Sequence, residues 1–236
     1  RRSSDLAGID LSCGMLMVLG SIVMTKFAED FGMPWPLAIA CGLGASMLFG
    51  LINGLLVTRI KLPPFIVTLG TFNIAFAVTQ LYSSAQTVTE VPEALTWLGN
   101  TFAIGNTQVA YGVVLMILLY LVTWFFLRDT AAGRHVYAVG NNAEATRLVG
   151  IPTERVLLWV YVIAGAFYGI AGLLSVARTG VGDPNAGQTE NLDAITAVVL
   201  GGTSLFGGRG VVLGTLAGAI VVGVLRNGLT LMGVSS

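Results

Sequence analysis

Charge is what this sequence has least of. Asp, Glu, Lys and Arg make up 10% of 236 residues, 12 acids against 12 bases, where a soluble domain carries about 25%. So few charges cannot cover a water-facing surface. The 55% apolar content and a mean hydropathy of +0.82 point instead to lipid as solvent. A formal net charge of zero leaves no basic excess for a nucleic-acid partner. The single histidine, His135, lies in a basic loop with no nucleophile beside it. Cys13 and Cys41 fall in apolar runs at no metal-ligand spacing, and read as small buried hydrophobes.

Catalytic signatures are missing as well. No Gly-Lys dipeptide occurs, so there is no G-x-x-x-x-G-K-[ST] phosphate loop, and no G-x-S-x-G elbow is present. The glycine-rich run GGTSLFGGRG has neither the lysine nor the strand-to-helix setting that cradles phosphate. These residues predict a protein that is no enzyme and needs no cofactor. If it works against a gradient, another chain must hydrolyse the ATP.

What is present is a series of apolar runs near the twenty or so residues that cross about 30 Å of hydrocarbon. They are Leu11 to Thr25, Met33 to Val57, Pro64 to Tyr82, Val109 to Leu127 and Val156 to Ala177, with two weaker stretches, Leu192 to Phe206 and Val211 to Leu225. The prolines Pro34, Pro36, Pro63 and Pro64 sit where first helical turns tolerate them. The predicted fold is all-α, a polytopic helical membrane bundle of about 7 spans or half-spans, with the weak pair broken or re-entrant beside the solute path. Gly50-xxx-Gly54, Gly165-xxx-Gly169 and Gly214-xxx-Gly218 put small residues one turn apart and predict close helix contacts.

Charges are sorted by connector. Arg59 and Lys61 mark one, Arg128, Arg134, Arg147 and Arg155 another, whereas Ser83 to Gln108 holds Glu90 and Glu93 and no base. Lys26 is outvoted by Glu29 and Asp30, and Arg178 by Asp183, Glu190 and Asp193. The basic loops are therefore expected on the cytoplasmic side. Arg209, at a turn between the weak stretches, is expected to be a marker of that side or a partner contact. Asp10 and Asp193 each precede an apolar run and read as helix caps.

The longest polar interruption is Gly133 to Arg155, GRHVYAVGNNAEATRLVGIPTER. Within it Asn142 caps a two-turn helix from Ala143 to Val149, Gly150 takes the left-handed stop, and Pro152 prevents resumption. Ala145, Leu148 and Val149 share one face, with Glu144 and Arg147 on the other. So short a helix is not stable alone in water and is expected to dock on something. Inside the spans the polar residues are amides and hydroxyls, Asn53, Thr71, Asn73, Thr79 and Gln80. Such groups suit a neutral polyhydroxylated solute, or else they tie helices together. Ion-coupled carriers usually place carboxylates or histidines in their spans.

The run GRHVYAVGNNAEATRLVGI, then PNAG, then LDAITAVVLGGTSLFGGRGVVLGTLAGAIVVGVLRNGL closely resembles the permease subunit of bacterial ATP-binding-cassette sugar importers of the ribose type. GIDLS at Gly8 to Ser12, NGLLVTRIKLPPFIVTLGT at Asn53 to Thr71 and the terminal GVSS follow the same order. The resemblance implies a single transmembrane permease domain over 1–236, with further helices before GIDLS and after GVSS that this chain lacks. It implies residence in the bacterial inner membrane and a homo- or heterodimer with a second permease subunit. Its partners would be two cytoplasmic ATPase subunits and an outer-face sugar-binding protein. Asn142 to Ile151 matches the segment that couples to the ATPase, within the loop 133–155. One outer segment, AFAVTQLYSSAQTVTEVPEAL, departs from the family pattern, which leaves the sugar open. The other readings are a branched-chain amino-acid or nucleoside permease of the same superfamily, and an ATPase-independent carrier or channel.

Overall fold

The computed structural model describes residues 8–205 and 207–233. The expectations touching Phe206 and the GVSS terminus from Val234 onward fall outside those residues. Helix α1 (Cys13–Asp30) is the hub, with Met15, Leu16, Val18, Leu19 and Ile22 all buried. Its internal hydroxyls are satisfied by their own helix, Ser21 Oγ donating to Val18 O at 2.7 Å and Thr25 Oγ1 to Ser21 O at 2.8 Å. That is the arrangement a dry interior demands of a polar side chain. The helix runs past the expected end at Thr25, because Lys26 pairs with Glu29 and Asp30 at 3.5 and 3.2 Å on its last turn.

Packed around α1 are α2 (Trp35–Thr58), α3 (Pro64–Tyr82) and α8 (Thr153–Thr179). The α2–α8 crossing is built from two of the predicted glycine pairs. A Cβ on Gly165 would stand 2.6 Å from Ser46 O and 2.9 Å from Met47 Cα, and one on Gly169 would stand 3.1 Å from Leu43 Cα. Gly50 and Gly54 meet Tyr161 and Leu158 from the other side. Backbones this close gain dispersion where lipid offers no hydrophobic drive.

The connector from 83 to 110 is not plain loop. It holds the single turn α4 (Glu93–Thr96) and a two-stranded antiparallel ribbon, β1 (Thr101–Ile104) and β2 (Thr107–Ala110), turning at Gly105 with φ +61°. The predicted span from Val109 therefore starts two residues later, as α5 (Tyr111–Asp129), since Val109 is held in the ribbon opposite Phe102. The chain then forms α6 (Ala131–Asn141), α7 (Ala143–Leu148), α8, α9 (Glu190–Leu200) and α10 (Val212–Leu231).

Of the two weak stretches, one is a half-helix and the other is not. The 11 residues of α9 reach about 16 Å, whereas α10 has 20 residues and continues well beyond Leu225. Among the described residues five helices, α2, α3, α5, α8 and α10, are long and apolar enough to cross a membrane. The third glycine pair joins α10 to α9, with Gly214 against the Gly201 carbonyl and Gly218 against the Ala197 carbonyl.

Charges collect at two ends of the bundle. Arg59, Glu154 and Arg155 line one cleft where α2 ends and α8 begins. Val88 and Gly182 bridge the acidic connector to the loop after α8 at the other end.

Candidate functional site

The two-turn helix is present as α7. Asn142 Oδ1 accepts from Ala145 N at 2.9 Å, and Gly150 has φ +88°, so its start and stop are those the sequence specifies. Glu144 accepts from Arg147 at 2.8 Å on the exposed side, and its carboxylate holds the Arg147 guanidinium above its ordinary pKa. Thr146 is buried, and its hydroxyl reaches Ala138 O at 2.9 Å and Asn142 O at 2.7 Å, fastening α7 to α6. Leu148 and Val149 are 79% and 74% exposed among the described residues, with Ala145 exposed beside them. Two adjacent aliphatic side chains are thus left open to solvent at the end of a capped helix.

Sequence reasoning missed α6. Its start is made by Thr130, whose Oγ1 accepts from Gly133 N at 3.1 Å and donates to Phe126 O at 2.6 Å. The helix leans on the glycine-rich turn between α9 and α10: Tyr137 OH donates to Gly210 O at 3.0 Å, and Gly140 lies against Gly208. The signal was there in the small and aliphatic spacing of Gly133, Val136, Val139 and Gly140. The polar residues between them masked it.

The GIDLS segment is a second centre. Asp10 is not a helix cap: α1 has Ser12 at that position, with no side-chain cap bond. Instead the Asp10 carboxylate accepts from Ser12 N at 2.8 Å, Ser12 Oγ at 2.5 Å and Tyr168 OH at 3.0 Å, while Ser12 Oγ accepts from Asn53 at 3.1 Å. Leu11 N donates to Thr68 Oγ1 at 3.2 Å, and Asn191 of α9 donates to Leu11 O at 3.4 Å. One short non-helical stretch thus ties together α2, α3, α8 and α9. Its freed backbone groups are met by protein, as a membrane interior requires.

The five polar residues singled out in the spans divide into two groups. Asn53, Thr71 and Thr79 are buried. Thr71 bonds back to Val67 O and Thr68 O at 3.2 and 3.1 Å, whereas Asn53 Oδ1 and the Thr79 hydroxyl have no partner among the described residues. Asn73 is exposed and Gln80 half-buried, Asn73 donating to Leu69 O at 2.8 Å and Gln80 to Asn185 Oδ1 at 2.8 Å. Asn185 belongs to the PNAG motif, which descends along α1 until Gly187 meets Gly14, and Gln188 donates to it at 3.4 Å.

The expected absence of acids from the spans is corrected here. Glu190 and Asp193 lie in the first turn of α9, and Asp193 is no cap: both carboxylates accept from Arg226 of α10, Glu190 at 3.4 Å. Arg226 escaped notice because the last run was ended at Leu225, although Asn227 to Leu231 continues apolar enough to extend the helix. Arg226→Leu is expected to destabilise the protein by roughly 1–3 kcal/mol, because two carboxylates then face each other unpaired. Partial exposure, 35–42%, keeps the cost below that of a fully buried pair. Thermal denaturation in detergent measures it, and removing both carboxylates as well should restore the midpoint. A wild-type midpoint in the single variant would show the pair to be dispensable.

A cleft of about 480 Å³ opens between α5, α8 and α10. Its lining is apolar except for the hydroxyls of Tyr120, Thr123, Tyr168 and Thr215.

Apolar helices of spanning length, closed on one another through glycine backbones, define a polytopic helical membrane bundle. Over residues 6–236 the chain matches the family described as branched-chain amino acid transport system / permease component, and it belongs to that family. It is 48% identical over 232 residues to a fructose import permease protein of Rhizobium meliloti, covering 96% of this chain and 64% of that relative. It is 38% identical over 231 residues to a ribose import permease protein of Bacillus subtilis, covering 97% of this chain and 70% of the relative. A galactose/methyl galactoside import permease protein of Haemophilus influenzae is 33% identical over 245 residues, with 97% and 72% covered. The chain thus spans about two thirds of the length of these relatives. No solved structure matches it.

Proposed function

We propose that this chain is the membrane-spanning subunit of an ATP-binding-cassette importer. It moves a neutral monosaccharide from an outer-face binding protein into the bacterial cytoplasm, across the inner membrane, by alternating access. The observation that carries the reading is the free Leu148–Val149 face of α7, which a cytoplasmic ATPase subunit would cover. Ala145, Glu144, Arg147 and Gly150 complete that surface, and Asn142 fixes its angle. The segregation of Arg59, Arg155 and Arg209 toward the α7 end supports a cytoplasmic position for it. Residues 133–155 then act as the coupling loop of one permease domain, and a second permease subunit completes the channel. Hydrolysis belongs to the ATPase, since alternating access needs only that nucleotide favour one arrangement of the bundle over the other.

A sugar is favoured by the relatives that import fructose, ribose and galactose. The solute path runs along the accessible amides Asn73, Gln80 and Asn185. Thr71 and the two unpartnered groups, Asn53 Oδ1 and Thr79 Oγ1, face it in another state of the cycle. One observation favours a different solute: the Glu190–Arg226–Asp193 cluster would also meet a zwitterion, such as a branched-chain amino acid.

Proteoliposomes holding this protein, its ATPase and its binding protein decide the matter. Labelled fructose, ribose or galactose is expected to accumulate only with ATP and binding protein present. Uptake of leucine instead would shift the solute class. Uptake of any of these by the permease alone would replace the importer with a carrier or channel.

A further inference from the structure

We propose that the contact between α6 and the glycine-rich turn is a relay, through which movement of α7 reaches the α9–α10 hairpin and the re-entrant segment at its far end. The proposal rests on the importer reading and adds to it a route inside this chain, with Tyr137 and Gly140 as its positioning residues.

Each link is a short, specific contact. Thr146 joins α7 to α6: its hydroxyl lies 2.9 Å from Ala138 O within α6 and 2.7 Å from Asn142 O at the junction of the two helices. From α6, Tyr137 OH holds Gly210 O at 3.0 Å, across 73 positions of sequence. Beside it the backbones touch: a Cβ on Gly140 would stand 2.7 Å from Gly208 N, and one on Gly208 would stand 2.6 Å from Asn141 Cα. Gly207 and Gly208 have φ of +85° and +72°, a conformation that side-chain-bearing residues rarely adopt. The turn also carries backbone hydrogen bonds of its own. Ser204 N donates to Arg209 O at 2.9 Å, Gly207 N to Ser204 O at 3.1 Å, and Thr203 N to Val198 O at 3.1 Å.

Beyond the turn, α9 and α10 behave as one body. Gly201 meets Gly214, Ala197 meets Gly218, and Arg226 grips Glu190 and Asp193. Contacts of α9 with the rest of the bundle are sparser than those with α10; the most specific is the 3.4 Å bond from Asn191 to Leu11 O. A push at Gly208 therefore travels the length of α9, about 16 Å, to the segment 185–192. There Asn185 holds Gln80 and Gln188, and Asn191 holds the GIDLS segment. Glycine at 140 and 208 lets α6 and the turn lock at backbone distance, where any side chain would stand between them.

The test compares full-length wild type with Tyr137→Phe/Gly140→Val, each assembled with its ATPase subunits in nanodiscs. Hydrogen exchange is measured without nucleotide and after trapping with ATP and vanadate. In wild type, trapping is expected to change exchange both at 131–150 and at 185–192. In the variant, the change at 131–150 should persist and ATP hydrolysis continue, while the change at 185–192 is lost. An unchanged response at 185–192 in the variant would overturn the relay. So would a variant that loses hydrolysis and both responses together, because the contact would then serve to seat the ATPase. Failure of wild type to retain any ATPase is a separate result, seen at purification, and counts against the importer reading itself.

Discussion

Leu148→Asp/Val149→Asp is expected to strip the ATPase subunits from this protein while leaving the bundle folded. The two side chains are 79% and 74% exposed, so their loss costs the isolated fold little. In a complex they would be buried. Covering two aliphatic side chains contributes ~3–6 kcal/mol, and each ~1.4 kcal/mol is a factor of about ten in affinity. Two carboxylates in the same seat add a desolvation cost on top. Association should therefore weaken by about a hundredfold or more. Affinity capture from native membranes measures the loss, and a thermal midpoint equal to wild type excludes misfolding as its cause. ATPase recovered in undiminished yield with the variant would end the assignment of α7 as the coupling helix.

Gly165→Leu has the largest expected effect on the fold itself. The neighbours of its missing Cβ are the backbone of Ser46 and Met47, at 2.6 and 2.9 Å, and backbone in the middle of a helix cannot rotate away. The α2–α8 crossing must open, and with it the packing of both helices on α1, at a cost of about 3 kcal/mol or more. Gly44→Leu and Gly70→Leu are the controls, because nothing lies within 4 Å of a Cβ at either place. Size-exclusion profiles and thermal midpoints in detergent are expected to separate Gly165→Leu from the two controls by a wide margin. Equal behaviour of the three would mean that the crossing is looser than the contacts imply.

Much of this architecture was legible before any coordinates. Asn142, Gly150 and Pro152 delimit α7 because capping and left-handed stops are properties of a few adjacent residues. The glycine pairs at 50/54 and 165/169 announced a close crossing, and they turned out to pack on each other. Hydropathy located α2, α3 and α8 to within a few residues, because lipid imposes one length on every crossing. The ribbon at 101–110 was hidden because its strands, TFAI and TQVA, are four residues each and alternate only weakly. Helix α6 was hidden because its buried face is narrow, Gly133 and Val139, and the polar residues Arg134 and His135 between them read as loop.

What could be known from residue order is therefore what neighbours in the chain decide: lipid as solvent, helix extents and the capped two-turn helix. Packing alone decided the partners of the charges and amides. Asp10 reaches Tyr168 across 158 positions, Gln80 reaches Asn185 across 105, and Arg226 reaches Asp193 across 33. A charge or amide in a low-dielectric interior must find its complement wherever the fold brings one within about 3 Å. No local pattern encodes that distance, so Asp10 and Asp193 look like caps in the sequence and serve in the folded protein as the ties between helices.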